Sequence, residues 1–145
     1  MKIRAAKDDD LIGVRSLLAT CRLPTEDVTA VLLSGFLVAV DDAGAIVGSV
    51  CLEPLGGDAL LRSLAVALHL RATGLGKSLL RAIEREAKAR TYASLWLLTT
   101  SEQRFFEYHG YSIVDRTNVP GAVCETTQFM RLCPSTAACM EKRIT

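Results

Sequence analysis

The spacing of apolar positions changes several times along the chain, and each change predicts an element. Ile3 to Ala6 reads as a short strand. Leu11, Val14, Leu18 and Cys21 then recur at intervals of 3, 4 and 3, the buried stripe of a helix that Asp8 can cap. Pro24 stops it, and Thr25 is expected to cap a second short helix that runs through about Leu33 and ends at Gly35. Phe36 to Val40 and Ile46 to Leu52 are β-prone runs around Asp41-Asp42-Ala43-Gly44, which predicts a hairpin. A turn at Pro54 to Asp58 leads into a further strand, Ala59 to Val66, giving a meander of three antiparallel strands. Leu75, Leu79, Ile83 and Ala87 then repeat every four residues, with Arg81, Glu84, Arg85 and Lys88 outside and Glu84 placed to pair with Lys88. Ser94 to Leu98 reads as a buried strand, and Ser101 caps a helix ending near Gly110. Tyr111 to Val114 is a strand again, and Ala138 to Ile144 can close the sheet. The order predicts one α+β sheet with helices packed on it.

Composition narrows the classes. A chain of 145 residues suits one domain, and 50% hydrophobic residues with a mean hydropathy of +0.26 exclude a disordered chain. Seventeen basic against sixteen acidic residues leave a net charge of +1, without the basic excess that releases counterions from nucleic acid. The longest apolar stretch, Phe36 to Val40, is far short of the roughly 20 residues a membrane helix needs. Asp8-Asp9-Asp10 stands where the apolar core of a secretory leader should begin. Five cysteines with no CxxC do not form a disulfide framework, so the expected compartment is the reducing cytoplasm. Cys133 and Cys139 lie six apart, but no spacing supports a metal site, and buried inert thiols are expected.

The most informative segment is Arg71-Ala72-Thr73-Gly74-Leu75-Gly76-Lys77-Ser78, between a strand and an amphipathic helix. Free backbone N–H groups at a helix N-terminus make an anion site suited to phosphate or pyrophosphate. The glycines allow close approach, and Arg71 and Lys77 add charge. Three patterns compete. The nucleotide loop GxxxxGK[ST] matches Gly76-Lys77-Ser78 but needs glycine where Arg71 stands. The dinucleotide fingerprint GxGxxG needs a third glycine where Leu79 stands. The pattern R/Q-x-x-G-x-G/A is satisfied by Arg71, Gly74 and Gly76. This is the acetyl-CoA pyrophosphate arm of the GNAT N-acetyltransferases, a family the chain resembles over nearly its whole length.

The resemblance implies a mixed, mostly antiparallel central sheet of about six or seven strands flanked by about four helices. It implies that the strand ending at Leu64, Ala65 and Val66 splays from Ser94 to Leu98, with acetyl-CoA in the gap. Backbone groups of Leu64 to Val66 would pair with the pantetheine, and one N–H there would polarise the thioester carbonyl. Arg71, Ala72, Thr73, Gly74, Leu75, Gly76, Lys77 and Ser78 would hold the pyrophosphate. An amine would attack directly, with a general base taking its proton and a general acid protonating the leaving thiolate.

The second half carries an ordered series: Leu98-Thr99-Thr100, Phe105-Phe106, Gly110-Tyr111, Val114-Asp115, Val119-Pro120, Leu132-Cys133-Pro134 and Cys139-Met140. It resembles the amino-acid (glutamate) N-acetyltransferase branch. With Leu52-Glu53-Pro54 and Leu61 to Val66, it is still more similar to the small acetyltransferases of arsenic-resistance operons. One position departs from the family: where many members carry a general-acid tyrosine, this chain has Phe106. Tyr108 lies two residues on, about 200° round a helix. Either Tyr108 is the acid, or the thiolate leaves without one, its thiol pKa being near 8.5.

Glu53, at a strand end beside the expected acceptor site, is the candidate base, acting directly or through a water; a solvated strand-end carboxylate is the alternative. Arg62 alternates with Leu64 and Val66 along one face and could hold an acceptor carboxylate in a fork; an ion pair is the other reading. His69 and His109 have no evident partner. The expected activity is acetyl-CoA-dependent N-acetylation of the primary amine of a small amino-acid-like acceptor, in arsenic or xenobiotic resistance, with no metal and no nucleic acid or membrane partner. Two alternatives stay open: a CoA-binding sensor or partner module without catalysis, and a nucleotide-binding protein using Gly76-Lys77-Ser78. An exposed terminal strand able to pair with its twin leaves a homodimer open.

Overall fold

A computed structural model describes residues 1–132 and 136–145. Seven strands form one sheet in the order β1-β2-β3-β4-β5-β7-β6: β1 (Lys2–Ala5), β2 (Phe36–Val40), β3 (Ile46–Leu55), β4 (Asp58–Val66), β5 (Ser94–Thr99), β6 (Ser112–Val114) and β7 (Ala138–Arg143). All neighbours are antiparallel except β4 and β5. The expected meander is β2-β3-β4, and the C-terminal strand inserts between β5 and β6, pairing with β5 along its whole length.

Among the described residues five α-helices cover the two faces: α1 (Leu11–Thr20), α2 (Ala30–Leu33), α3 (Leu75–Ala89), α4 (Gln103–Tyr108) and α5 (Gly121–Cys124). The four-residue stripe of α3 is buried as its period dictates, with Leu75, Leu79, Leu80, Ile83 and Ala87 packed on Val47, Val50, Leu61 and Leu97. Phe106 of α4 joins that face. Val14, Leu17 and Leu18 of α1 pack on the opposite face with Phe36, Val38, Cys51 and Ala65. Further along that face, Val119 and Val123 cover Leu60, Trp96 and Leu98.

Several local expectations are corrected. The second helix is one turn, Ala30–Leu33, because the Thr25 carbonyl closes a turn onto the Val28 N–H (3.0 Å) and Asp27 is drawn to a distant arginine. Asp10 rather than Asp8 organises the start of α1, accepting the Lys7 N–H at 2.7 Å while paired with Arg4. Pro54 stays inside β3, paired with Ala59, so the hairpin turn is only Gly56-Gly57, where Gly56 takes φ +71°. The entry to α4 is held by Thr99 Oγ1, which accepts the Glu102 N–H, and not by Ser101. Glu84 bonds the Tyr111 hydroxyl (2.8 Å) and Lys142 (3.0 Å) across elements instead of Lys88 along its own helix. Cys133 and Pro134 lie outside the described residues. Among the described residues no helix is long and apolar enough to cross a membrane.

Candidate functional site

The site begins with a failure of pairing. The parallel ladder between β4 and β5 holds only Ala59–Leu95 and Leu60–Trp96. Its closed end is pinned by Asp58, whose carboxylate accepts the Ser94 N–H and the Trp96 indole N–H, each at 3.1 Å. The Ala93 N–H adds a bond to the Gly57 carbonyl at 2.9 Å. Beyond Leu60 the strands part and open a cleft of about 900 Å³ between Leu61–Val66 and Leu97–Glu102.

A bulge in β4 accompanies the parting. Ser63 is left-handed (φ +58°), the register against β3 shifts between Ser49 and Cys51, and the buried Ser49 hydroxyl donates to the Ser63 carbonyl at 2.8 Å. The bulge also reverses the strand's alternation. Arg62 stands opposite Cys51 and Ala65 opposite Ser49, so both project to the α1 face, while Leu64 and Val66 project with Leu61 to the α3 face. The expectation that Arg62 shares a face with Leu64 and Val66 is therefore corrected. Beyond the bulge the Ala67 N–H bonds Val47 in β3, so alternation turns the polar groups of Val66 toward the cleft. Its carbonyl there accepts from Arg71 Nε at 3.3 Å and the Cys21 thiol at 3.5 Å.

The glycine segment forms one wall. Ala72 (φ +64°) and Gly74 (φ +90°) are both left-handed, and Gly74 caps α3 without a side-chain bond. The first bond inside α3 runs from the Ser78 N–H to the Gly74 carbonyl, so the N–H groups of Leu75, Gly76 and Lys77 have no acceptor in the helix. Thr73 and Ser78 bond the carbonyls of Leu70 and Gly74 through their hydroxyls. Arg71 and Lys77 are exposed and line the cleft. A Cβ on Gly76 would meet only ordinary contacts, Phe105 Cζ and Val66 Cγ2 at 3.8 Å. The protein itself does not need glycine at 76, but a backbone-bound anion would. The residues present thus fit the pyrophosphate of acetyl-CoA.

On the other face a buried Arg62 sits between two half-buried carboxylates. Its side chain is 1% exposed and forks onto Asp27, with Nη1 to Oδ2 at 2.5 Å and Nη2 to Oδ1 at 2.7 Å. Nη1 also reaches Glu53 Oε1 at 3.1 Å, and Nε faces Ser63 Oγ at 3.4 Å. Burial works against the charge, but Asp27 and then Glu53 hold the guanidinium pKa above its ordinary value. The fork expected to take an acceptor carboxylate is thus engaged by Asp27. Arg62 lines the cleft, while Glu53 stands behind it and is not part of the lining.

Phe105 and Phe106 of α4 line the cleft, with their rings edge to face at 5.2 Å. Tyr108 is 85% exposed and packs on His109 outside it. Of the two alternatives, an acid at Tyr108 or none, the structure places Tyr108 outside the cleft, because the helical turn that buries Phe106 points Tyr108 to solvent. Burial pushes the Cys51 thiol up to about 12 and the Cys139 thiol up to about 11, so both are inert thiols. Among the described residues no cluster of His, Cys, Asp or Glu could hold a metal.

Sequence reasoning missed three contributors: Asp27, the Ser63 bulge, and Gln128, which lines the cleft from the start of a π-helical turn (Gln128–Leu132). Asp27 lies 35 residues from its partner and carries no local signal.

A family model described as an acetyltransferase (GNAT) domain matches residues 33–113. A search of the curated proteins found no match. Among solved structures, N-acetylglutamate synthase from Neisseria gonorrhoeae, complexed with coenzyme A and N-acetyl-glutamate, superposes with a TM-score of 0.87 at 18% identity. The match covers 99% of this chain and 35% of that one, so the chain spans about a third of the synthase. A Mycobacterium tuberculosis protein in complex with CoA gives 0.83 at 22% identity, covering 99% of both chains. A GNAT-family acetyltransferase from Staphylococcus aureus gives 0.84 at 16% identity, again with 99% of both.

Proposed function

The chain belongs to the GNAT acetyltransferase family, and from that premise we propose that it transfers the acetyl group of acetyl-CoA to the primary amine of a small, amino-acid-like acceptor. The observation that carries the reading is the opened β4–β5 cleft with a cationic helix N-terminus on its wall. Acetyl-CoA supplies the acetyl group as a thioester, which an amine can attack. The N–H groups of Leu75, Gly76 and Lys77, with the charges of Arg71 and Lys77, bind the pyrophosphate. Leu64 to Val66 present backbone groups to the pantetheine, and an N–H there polarises the thioester carbonyl.

Glu53 takes the proton of the attacking amine through a water, since its carboxylate lies behind the lining, and Arg62 holds that carboxylate in place at 3.1 Å. No side-chain hydroxyl stands at Phe106, so the thiolate leaves unprotonated, its thiol pKa being near 8.5. The amino-acid acceptor is supported by the series from Leu98 to Met140 and by the likeness to a synthase solved with N-acetyl-glutamate. The arsenic-resistance setting rests on the resemblance at Leu52-Glu53-Pro54, Leu61 to Val66 and Leu132-Cys133-Pro134. Phe106 in the cleft favours one further reading, a CoA-binding module that does not catalyse.

The test is calorimetric titration with acetyl-CoA, with ATP as control, followed by Glu53→Gln. Acetyl-CoA binds and ATP does not. The variant keeps acetyl-CoA affinity and loses rate by roughly 10²–10⁴. Absence of acetyl-CoA binding sinks the proposal, and binding without any amine acetylation selects the non-catalytic module.

A further inference from the structure

The segment after β6 folds over the face of β4 and β5 from which Leu60 and Arg62 project. Val119, Val123, Cys124 and Phe129 pack there on Leu60, Trp96 and Leu98. Arg116 is engaged within the fold, stacked on the Phe129 ring at 4.8 Å and donating to the Ala137 carbonyl at 2.6 Å. The Thr126 hydroxyl donates to the Val123 carbonyl at 2.8 Å and accepts the Phe129 N–H at 3.1 Å. Gln128 is different. It is 6% exposed, and its amide has no hydrogen-bond partner among the described residues. Oε1 is fully buried, so Nε2 is the amide atom that Gln128 presents to the cleft it lines.

A buried amide oxygen left unpaired destabilises the fold, and an apolar side chain of the same length would remove that cost. The nitrogen returns nothing to the fold either, since no acceptor of the described residues meets it. What an amide supplies here is one N–H donor, held at the cleft wall by the burial of its own side chain. Its surroundings decide what it can meet. The charged side chains lining the cleft are Arg22, Arg62, Arg71 and Lys77 against Glu26 and Glu102, an excess of cations. On the Gln128 side of the sheet Arg116 adds to Arg62, while Asp27 and Glu53 stand behind the lining. A donor in a cationic cleft selects an anion. The arm suited to pyrophosphate opens α3 on the opposite face, so the anion at Gln128 is a different one. Arg62 gives this end charge but not a free fork, because Asp27 occupies it.

We infer that Gln128 is a specificity-determining residue that recognises the α-carboxylate of the acceptor: its Nε2 donates to a carboxylate oxygen and seats the amino acid in the cleft. The inference rests on the acetyltransferase reading and deepens it, and it gives Gln128 the task that Asp27 denies to Arg62. An α-carboxylate carbon stands two bonds from the amine nitrogen, so a bond that places one places the other. The substrates are α-amino acids, and the corresponding decarboxylated amines are poor ones.

The experiment screens the twenty L-amino acids for thiol release from acetyl-CoA. The best one and its decarboxylated amine are then compared on the parent, Gln128→Met and Gln128→Glu, the amine serving as a competitive inhibitor where it is not acetylated. Gln128→Met is expected to be no less stable in thermal unfolding and to keep its calorimetric affinity for acetyl-CoA. Its preference for the amino acid over the amine falls about tenfold to a hundredfold, chiefly through KM, as loss of a hydrogen bond to a charged group implies. Gln128→Glu, which sets a carboxylate against the substrate's own, loses at least as much of that preference. An unchanged preference in Gln128→Met overturns the inference, because a structural role slows both compounds alike. A marked fall in its thermal stability also overturns it, and so does a Gln128→Glu that keeps the preference, since that returns the contact to an accepting oxygen. Acetyl-CoA binding with no amino acid turned over overturns the acceptor class while leaving cofactor binding intact. Absence of acetyl-CoA binding in the parent instead removes the underlying reading.

Discussion

Replacing Gly76 by alanine should move stability and cofactor affinity in opposite directions. Gly76 is the second residue of α3, has no positive φ, and leaves room for a methyl whose nearest contacts are 3.8 Å away. In the free protein the substitution exchanges glycine for the best helix former, worth roughly 0.5–1 kcal/mol, or about 2–3 °C for a chain of this size. The same methyl projects where a pyrophosphate must approach the N–H groups of Leu75, Gly76 and Lys77. Displacing one charge-assisted hydrogen bond of about 1.5–3 kcal/mol weakens acetyl-CoA binding by about tenfold to a hundredfold. Scanning calorimetry of the free protein gives the first quantity and isothermal titration with acetyl-CoA the second. Gly74→Ala is the control. Its φ of +90° puts the new side chain in a strained backbone, costing about 1–2 kcal/mol, so stability and affinity fall together. A Gly76→Ala protein that binds acetyl-CoA as tightly as the parent would refute the assignment of this arm.

Three other perturbations follow. Arg62→Met strands Asp27 and Glu53, whose side chains are 21% and 24% exposed, and should cost about 3 kcal/mol in urea unfolding; a loss below about 1 kcal/mol would show that solvent screens the triad. Asp58→Ala leaves the Ser94 N–H and the Trp96 indole N–H unpaired, for about 2–4 kcal/mol in all. Because Trp96 is the only tryptophan, its emission should shift to the red as the closed end of the cleft loosens, and an unchanged spectrum would refute the pinning role. Asp10 has its pKa lowered, first by its hydrogen bonds with Arg4, so it contributes stability above the unfolded carboxylate value near 3.9 that is lost as pH falls through the lower folded value. Asp10→Asn should therefore flatten the acid limb of stability below about pH 4, and an unaltered limb in acid titration monitored by circular dichroism would count against this pair.

The periodic parts of the fold were legible because their signal is local. The stripe of α3, the β2-β3-β4 meander and the arm at Arg71, Gly74 and Gly76 each follow from residues within a turn or two of one another. The one-turn α2 was not, because what replaces the rest of the expected helix is an ion pair spanning 35 residues. Arg62 was assigned to the wrong face for a sharper reason. Alternation counts faces along an uninterrupted strand, and Ser63 carries nothing in its chemistry to announce a left-handed bulge. Gln128 was invisible for the same kind of reason, since an amide acquires meaning only when its burial and lack of partners are known. Phe106, by contrast, was legible in the sequence, and what the structure adds is that Tyr108 points into solvent.

The bulge and the triad together decide how kinetics at this site can be interpreted. Ser49 fastens the Ser63 carbonyl, and the reversal it permits aims Arg62 at Asp27 on the segment between α1 and α2 and at Glu53 on β3. One guanidinium therefore ties three segments together: the loop that walls the cleft, the strand that opens it, and the strand that carries the proposed base. Any substitution of Arg62 frees the loop and the carboxylate at once. Lysine would not rescue it, because a point charge cannot reproduce a fork that meets both oxygens of Asp27 while a second N–H meets Glu53. Rate losses in Arg62 variants thus mix disorder of the wall with displacement of the base, and cannot be assigned to a lost contact with an acceptor carboxylate. Glu53→Gln is the cleaner probe, since it keeps the Asp27 fork and an oxygen facing Nη1 while removing the carboxylate's charge and basicity. If Glu53→Gln kept its rate at matched stability while Arg62 variants lost theirs, Glu53 would act through its bond to Arg62, and the proton would have to leave by another group.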